Sequence, residues 1–345
     1  KRRGQVILGI QLHFNKRYIT LAPIATLIGL AFHLKDPQNL LNRGQDLGIT
    51  LALLPSKTRG VVIGQRHDPL GIGFLNGPIQ GDHVWIDLEA IIGGQANIGQ
   101  GWPMLVSCLA VGRGVSLPAV SAGVASLSAL TTVAYTRCRE QFGRPISQFE
   151  GIQEKLAYIL SDTYKVMAFQ SFALKPLHQG KKPALIASIA KYHMAELTRK
   201  IMLHAMDVHG GKAIMRGPKN YLATVYQSLP ISITVEGANI LTRNLMIFGQ
   251  GAMRCHPWVE KEMRVLWKKE SSHAVAVLDA LILNHGLAYA QHKLKALGHQ
   301  LTAGCCIRIS ICKHAAIKKQ LRHIVRLSKM FAYVVDTTLL FMGGR

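Results

Sequence analysis

The feature that most limits the fold is a change of hydrophobic period near Gly101-Trp102. Before it, short apolar runs such as RYITLAPIATLIGLAF, DLGITLALLP and HVWIDLEAIIGG are separated by Pro, Gly, Asn and Asp. That punctuation predicts strands joined by turns. After it, long segments repeat at helical spacing with few breakers. In 183–206 the apolar stripe is Ile186, Ile189, Met194, Leu197, Ile201 and Ala205, with Lys191, Arg199 and Lys200 on other faces. Gly210-Gly211 stops that helix by tolerating positive φ. Further helices are predicted over 148–178, 238–253, much of 272–300 and 313–340. The expected fold class is α+β: a β domain over 1–98, a helical bundle over 99–260 and a basic helical extension over 261–345.

Composition narrows the partners. Hydrophobic residues make up 49% of the 345 and charged residues 17%, which describes a globular chain and excludes a disordered one. Lys and Arg number 41 against 18 acids, a net charge of +23. Such a balance favours a polyanion, whether membrane surface, nucleic acid or phosphorylated small molecule, and a general basic drift explains it equally well. Between Asp279 and Asp336 there are nine Lys or Arg and no acid. Lys319, Arg322, Arg326 and Lys329 share one helical stripe, and Ile317, Leu321, Ile324, Phe331 and Val335 another. This pattern suits peripheral contact with an anionic membrane, or an ordinary solvated face over a packed one. Few aromatics interleave with the bases and no recognisable module is present, so nucleic acid is not an expected partner. The six cysteines form no C-x-x-C pair, and the default is a reduced, cytoplasmic compartment, at most on the inner face of the cell membrane. The uncharged stretch 114–136 is long enough to span a bilayer. Its Ser, Thr, Ala and Gly content predicts a buried bundle helix instead.

One carboxylate stands out. From Asn220 to Thr242 the only formal charge is Glu236, set among Ile231, Ile233, Val235, Ile240 and Leu241. An unpaired buried carboxylate is costly and answers by raising its pKa. Either Glu236 meets a distant base or its environment serves a reaction. Other motifs fail. Fifteen histidines include no H-E-x-x-H, so no metal is expected. There is no G-x-x-x-x-G-K-[ST] and no G-x-S-x-G, and GIGFLNG at 71–77 lacks the third glycine of a dinucleotide fingerprint.

YTRCREQFGRPISQFEGIQEKLAYI at 135–159 is specific. Its R-x-x-F-G-x-P-I followed by F-x-x-I-Q-x-x-L-A resembles the acyl-CoA dehydrogenase family. RYIT at 17–20, GQGWPMLVSCLAVGRGVSLPA, DVHGG at 207–211 and VEGAN at 235–239 follow in that family's order. With LTRNLMIFGQGAMRCHPWVEKEM and the extension, the whole resembles the long bacterial type of fatty-acid degradation. The resemblance implies a β-barrel-like domain, a C-terminal four-helix bundle and a helical extension. It implies FAD as cofactor, a fatty acyl-CoA substrate oxidised to trans-2-enoyl-CoA in β-oxidation, an electron-transfer flavoprotein as partner, and a homo-oligomer.

The resemblance also assigns residues. Glu236 becomes the base that removes the α-proton, with Gly237 letting the backbone turn so that the Glu236 N–H reaches the thioester carbonyl. A Glu capping the helix that begins near Ala238 is the plainer alternative. Some branches of the family place the base just before an arginine on the first bundle helix. Here that arginine is Arg113 and the preceding residue is Gly112, which cannot be a base. Tyr18 and Thr20 are expected beside the flavin ring, Arg139 and Phe142 on the FAD of a partner subunit, and Gly210 and Gly211 near its adenosine half. Asp207 stands where relatives carry Gln, so it must point away from pyrophosphate or pair with a base. Family members begin with a helical domain and a T-E-P segment, whereas KRRGQVILGI enters directly at the β domain. The expectation is therefore one piece of a split enzyme or a truncated remnant. A non-catalytic polyanion binder and an acyl-CoA oxidase are the alternatives.

Overall fold

Alternation along the first strands creates two facing apolar surfaces. The computed structural model describes residues 7–181, 183–251, 256–266, 272–311 and 313–342. Strands β1 (Gly9–Thr20), β2 (Leu27–Lys35), β3 (Asp46–Pro55), β4 (Val61–Ile63) and β5 (Asn76–Asp87) form two antiparallel sheets, ordered β1-β5-β4 and β2-β3. Ile10 and Leu12 of β1, Ile28, Leu30 and Leu34 of β2, Ala52 and Leu54 of β3, and Ile79, Val84 and Ile86 of β5 meet in one core. Each large aliphatic side chain so buried contributes roughly 1.5–3 kcal/mol. The expected barrel-like closure is absent among the described residues, because no ladder joins the β2-β3 pair to the three-stranded sheet. Side-chain packing holds the two sheets together. Gly81 makes one close approach possible: a Cβ there would lie 2.2 Å from the Phe14 ring.

Helices follow from Gly101. They are α1 (Gly101–Gly114), α2 (Ser116–Cys138), α3 (Glu150–His178), α4 (Ala184–His209), α5 (Gly211–Ile214), α6 (Ala223–Thr234) and α7 (Asn239–Leu241), the last running into a π-helical stretch at Thr242–Gly249. Between α2 and α3 lies a small hairpin, β6 (Glu140–Gln141) and β7 (Arg144–Pro145). The bundle core combines Ala122, Ala125 and Ala129 of α2, Ile159 and Val166 of α3, and Met194, Ile201 and Met202 of α4. Small residues on α2 let its neighbours approach closely. Its buried polar positions are Ser121, Ser128, Thr132 and Thr136, and Ser128 bonds back to the Val124 carbonyl at 2.8 Å. The α6 helix has no counterpart in the sequence prediction, which treats its uncharged residues only as surroundings of Glu236.

The chain divides into two compact units, Lys1–Arg243 and Asn244–Arg345. In the second, α8 (Val259–Leu266) and α10 (Ala315–Met342) pack on α9 (Ser272–Leu301). By length and composition, Gly101–Cys138 and Ala274–Leu301 could cross a membrane. In the first of these, α2 is packed within the bundle.

Candidate active site

The centre of the first unit is the turn after α6. Val235 leaves the helix in extended conformation, Glu236 adopts φ 53° and Gly237 φ 88°, and Ala238 then opens α7. Two consecutive left-handed residues reverse the chain within one step. Glycine adopts this without penalty, whereas Glu236 is held there against its intrinsic preference. Such a residue stays in place only where its surroundings fix it.

Two buried cations do so. Arg113 on α1 is 5% exposed and its Nε donates to the Glu236 carbonyl at 2.7 Å. Lys191 on α4 is 1% exposed, and its Nζ donates to the Gly237 carbonyl at 2.8 Å and to Asn239 Oδ1 at 2.7 Å. Asn239 in turn donates Nδ2 to Glu196 Oε1 at 2.7 Å, which fixes its amide orientation. Thr242 Oγ1 donates to the same Gly237 carbonyl at 3.2 Å. Both carbonyls of the Glu-Gly pair are therefore held by cations from separate helices.

The Glu236 side chain packs on α1 at Gly112. A Cβ at Gly112 would lie 2.3 Å from Glu236 Oε1 and 2.8 Å from Oε2, so glycine there leaves the carboxylate the position that it occupies. Oε2 is buried with no hydrogen-bond partner among the described residues. Burial pushes the Glu236 carboxyl upward from its ordinary value, and the Arg113 and Lys191 charges pull against it without cancelling it. Burial lowers the Arg113 pKa, and Lys191 is drawn down to about 8, mainly by burial and then by the Arg113 charge. A half-buried carboxylate with one dry, unpartnered oxygen can accept a proton from carbon. The capping alternative finds no support, since α7 has Ala238 at its N-cap and no side-chain cap bond.

Glu236, Gly237 and Arg113 are thus brought together. The other predicted positions lie on separate elements. Tyr18 (72% exposed) and Thr20 project from β1, with Tyr18 5.3 Å from the His67 ring centre. Arg139 is exposed at the end of α2, and Phe142, 92% exposed with φ 53°, tips the β6-β7 hairpin. Gly210 and Gly211 begin α5 with open space around each. Asp207 pairs with Lys155 at 3.2 Å. An exposed guanidinium, solvent-facing aromatics and an unobstructed glycine pair fit a large anionic, planar ligand, and the orphaned Oε2 fits a reacting carbon beside it.

Lys191 is the residue that sequence reasoning misplaced. Sequence analysis sets it on a face other than the apolar stripe, yet Ala187, Lys191, Met194, Thr198, Ile201 and Ala205 are all buried along α4. The signal was available in its spacing: Lys191 lies three residues before Met194 and ten before Ile201, on their face. Asn239 and Thr242 carried no signal.

Two histidine-carboxylate groups also appear, His13-Asp82-His83 and His256-His285-Asp336. No motif spacing could reveal them, because each joins separate elements. The first is exposed. In the second, His256 Nδ1 accepts the Trp258 and Val259 N–H groups at 3.3 Å, capping α8, so Nε2 carries the proton and donates to Asp336 at 2.6 Å. His292 Nδ1 bonds the other Asp336 oxygen at 3.0 Å, and His285 Nδ1 meets Glu262 at 2.8 Å. This is a hydrogen-bonded knot in which the His256 nitrogens are committed.

Comparison with known proteins agrees with this architecture. The family model described as acyl-CoA dehydrogenase, C-terminal domain, matches residues 99–248, and that described as acyl-CoA dehydrogenase, C-terminal, bacterial type, matches 253–345. The chain is 30% identical over 229 residues to the 3-(aryl)acrylate reductase of Clostridium sporogenes, covering 66% of this chain and 58% of that protein. It is 48% identical over 104 residues to Protein HemX of Proteus mirabilis, covering 30% and 61%. Among solved structures, the acyl-CoA dehydrogenase from Geobacillus kaustophilus superposes with a TM-score of 0.61 at 22% identity, over 70% of this chain and 61% of that one. The chain spans about three fifths of the length of these proteins. Two adjoining C-terminal domains and the fold in common place the chain in the acyl-CoA dehydrogenase family.

Proposed function

We propose that the chain carries the proton-abstracting site of an FAD-dependent acyl-CoA dehydrogenase acting on fatty acyl-CoA in β-oxidation. The observation that carries this reading is the Glu236 carboxylate, with Oε2 dry and unpartnered beside Gly112. Glu236 Oε2 forms the new O–H bond as the substrate Cα–H bond breaks, and that electron pair becomes the Cα–Cβ double bond. FAD, when bound, supplies the acceptor for the hydride leaving Cβ. The chain's own contribution is the base and its restraint. Burial raises the proton affinity of Glu236 toward the working pH, Arg113 fixes its carbonyl, and the Glu236 N–H is the proposed donor to the thioester oxygen. Tyr18, Thr20, Arg139, Phe142, Gly210 and Gly211 are the proposed FAD contacts, Arg139 and Phe142 reaching a second subunit. Transfer of electrons to an electron-transfer flavoprotein belongs to the same proposal. The related Clostridium sporogenes protein is named a 3-(aryl)acrylate reductase.

The test is the visible spectrum of the purified chain with FAD, before and after anaerobic addition of a long-chain acyl-CoA. Bleaching of the flavin band that is lost in Glu236→Gln supports the proposal. No FAD uptake, or equal bleaching by the variant, overturns it. A second observation favours peripheral membrane contact: Ile317, Ile324, Leu327, Phe331 and Val334 are exposed on the basic helix α10. Binding to anionic vesicles should fall when 313–345 is deleted, and unchanged binding rejects this contact.

A further inference from the structure

We propose that Lys191 is the positioning residue of this site, an internal ammonium that clamps the Glu236-Gly237 turn through the Gly237 carbonyl and Asn239 and sets the field in which Glu236 takes up its proton. The inference rests on the reading of Glu236 as the base but assigns a role to a different residue, on a different helix.

Lysine is rarely buried fully, because its hydration must be replaced. Here Lys191 is 1% exposed and receives two acceptors, both neutral: a main-chain carbonyl and an amide oxygen. A residue needed only to fill space at that point of α4 would be apolar, like Met194 one turn further on. The charge has a geometric purpose. Arg113 holds the carbonyl of Glu236 and Lys191 the carbonyl of the next residue, so neither peptide can rotate without breaking a charge-assisted bond. That double restraint matches the need at Glu236, an ordinary side chain kept at φ 53°. Asn239 completes the clamp, its oxygen turned to Lys191 by the bond from Nδ2 to Glu196.

The electrostatic consequence has a definite sign. Lys191 and Arg113 both favour the ionised form of Glu236, opposing its burial. Loss of the Lys191 charge should raise the proton affinity of Glu236 further. Since Lys191 is drawn down to about 8, the wild-type protein removes that charge by itself at mildly alkaline pH.

Carboxyl-carbon NMR of 13C-glutamate-labelled full-length chain, assigned through Glu236→Gln, reads this directly. Two inflections are expected for the Glu236 signal: its own, above the ordinary glutamate range, and a smaller one near pH 8 as Lys191 deprotonates. In Lys191→Gln, which keeps an N–H donor, the inflection near pH 8 should vanish and the Glu236 midpoint should rise by about one unit. Lys191→Arg should keep the wild-type midpoint. A role in packing alone would lower the melting temperature in Lys191→Gln while leaving the Glu236 midpoint in place, and that outcome overturns the proposal. If the variant does not fold, absence in the wild type of any second inflection in the Glu236 signal across the alkaline range of the folded chain overturns it equally. The measurement does not depend on turnover. A coupled titration without flavin reduction would reject the enzymatic reading and keep the clamp; flavin reduction with an uncoupled titration would do the reverse.

Discussion

At the scale of single residues, the site depends on an absence as much as on a group. Gly112 gives Glu236 its space, and a Cβ there would meet Oε1 at 2.3 Å. The carboxylate is the far end of a flexible side chain, so it would give way to a Cβ by leaving its present position. Gly112→Ala should therefore lower the rate of anaerobic flavin reduction by roughly 100-fold, the scale of a 1 Å displacement at a reacting centre, with little change in far-UV circular dichroism. The pH dependence follows from direction. Burial holds the Glu236 pKa above its ordinary value, so the folded state keeps this proton when the unfolded chain has lost it. Stability from this group falls as pH rises above the ordinary glutamate value. Glu236→Gln removes that penalty and should raise the melting temperature at pH 7. At pH 4 the gain should disappear. Glu236 itself was legible in the sequence, since one acid in an uncharged apolar stretch is visible without any structure. Arg113 was placed beside it by the resemblance; Lys191 was not, because its spacing puts it on the face of Met194 and Ile201 but cannot name the turn that it meets.

At the scale of elements, the helices were legible and their partners were not. The 3.6-residue period places α3, α4, α9 and α10 within a few residues of their observed bounds, because breakers such as Gly210 end them. The α6 helix was missed because its uncharged sequence, broken by Pro230, carries no clear polar face. Sheet closure was also out of reach, since alternation shows that a strand has an inner face and leaves open which edge it pairs with. In the second unit α10 is tied by Asp336, 2% exposed, which accepts from His256 and His292. Burial pushes its carboxyl up, but the two imidazole hydrogen bonds and charges outweigh that and hold it below the ordinary aspartate value. Its stabilisation is therefore present above that ordinary value and lost as pH falls through the folded-state one. Asp336→Leu should remove the acceptor of His256 Nε2 and His292 Nδ1 and cost the second unit about 1–3 kcal/mol. Faster amide hydrogen exchange in α10, with α2 to α4 unchanged, is the expected signature.

At the scale of the whole chain, charge and exposure set the behaviour in solution. A net charge of +23 predicts adsorption to anionic vesicles that weakens steeply between 50 and 300 mM salt, measured by co-sedimentation. The protruding Phe142 belongs to the same scale. Phe142→Ser should leave the melting temperature of the isolated chain unchanged while lowering FAD retention and self-association, read by light scattering, if the hairpin reaches a second subunit. The bond from Arg113 to Glu236 joins residues 123 apart in sequence. Helices α1 to α4 can form from local contacts, but this bond waits until the intervening chain has been ordered, since distant partners must meet against the entropy of a long loop. The Glu236 turn therefore takes its restraint from contacts distant in sequence, and helices α1 to α4 can be present before that restraint is in place.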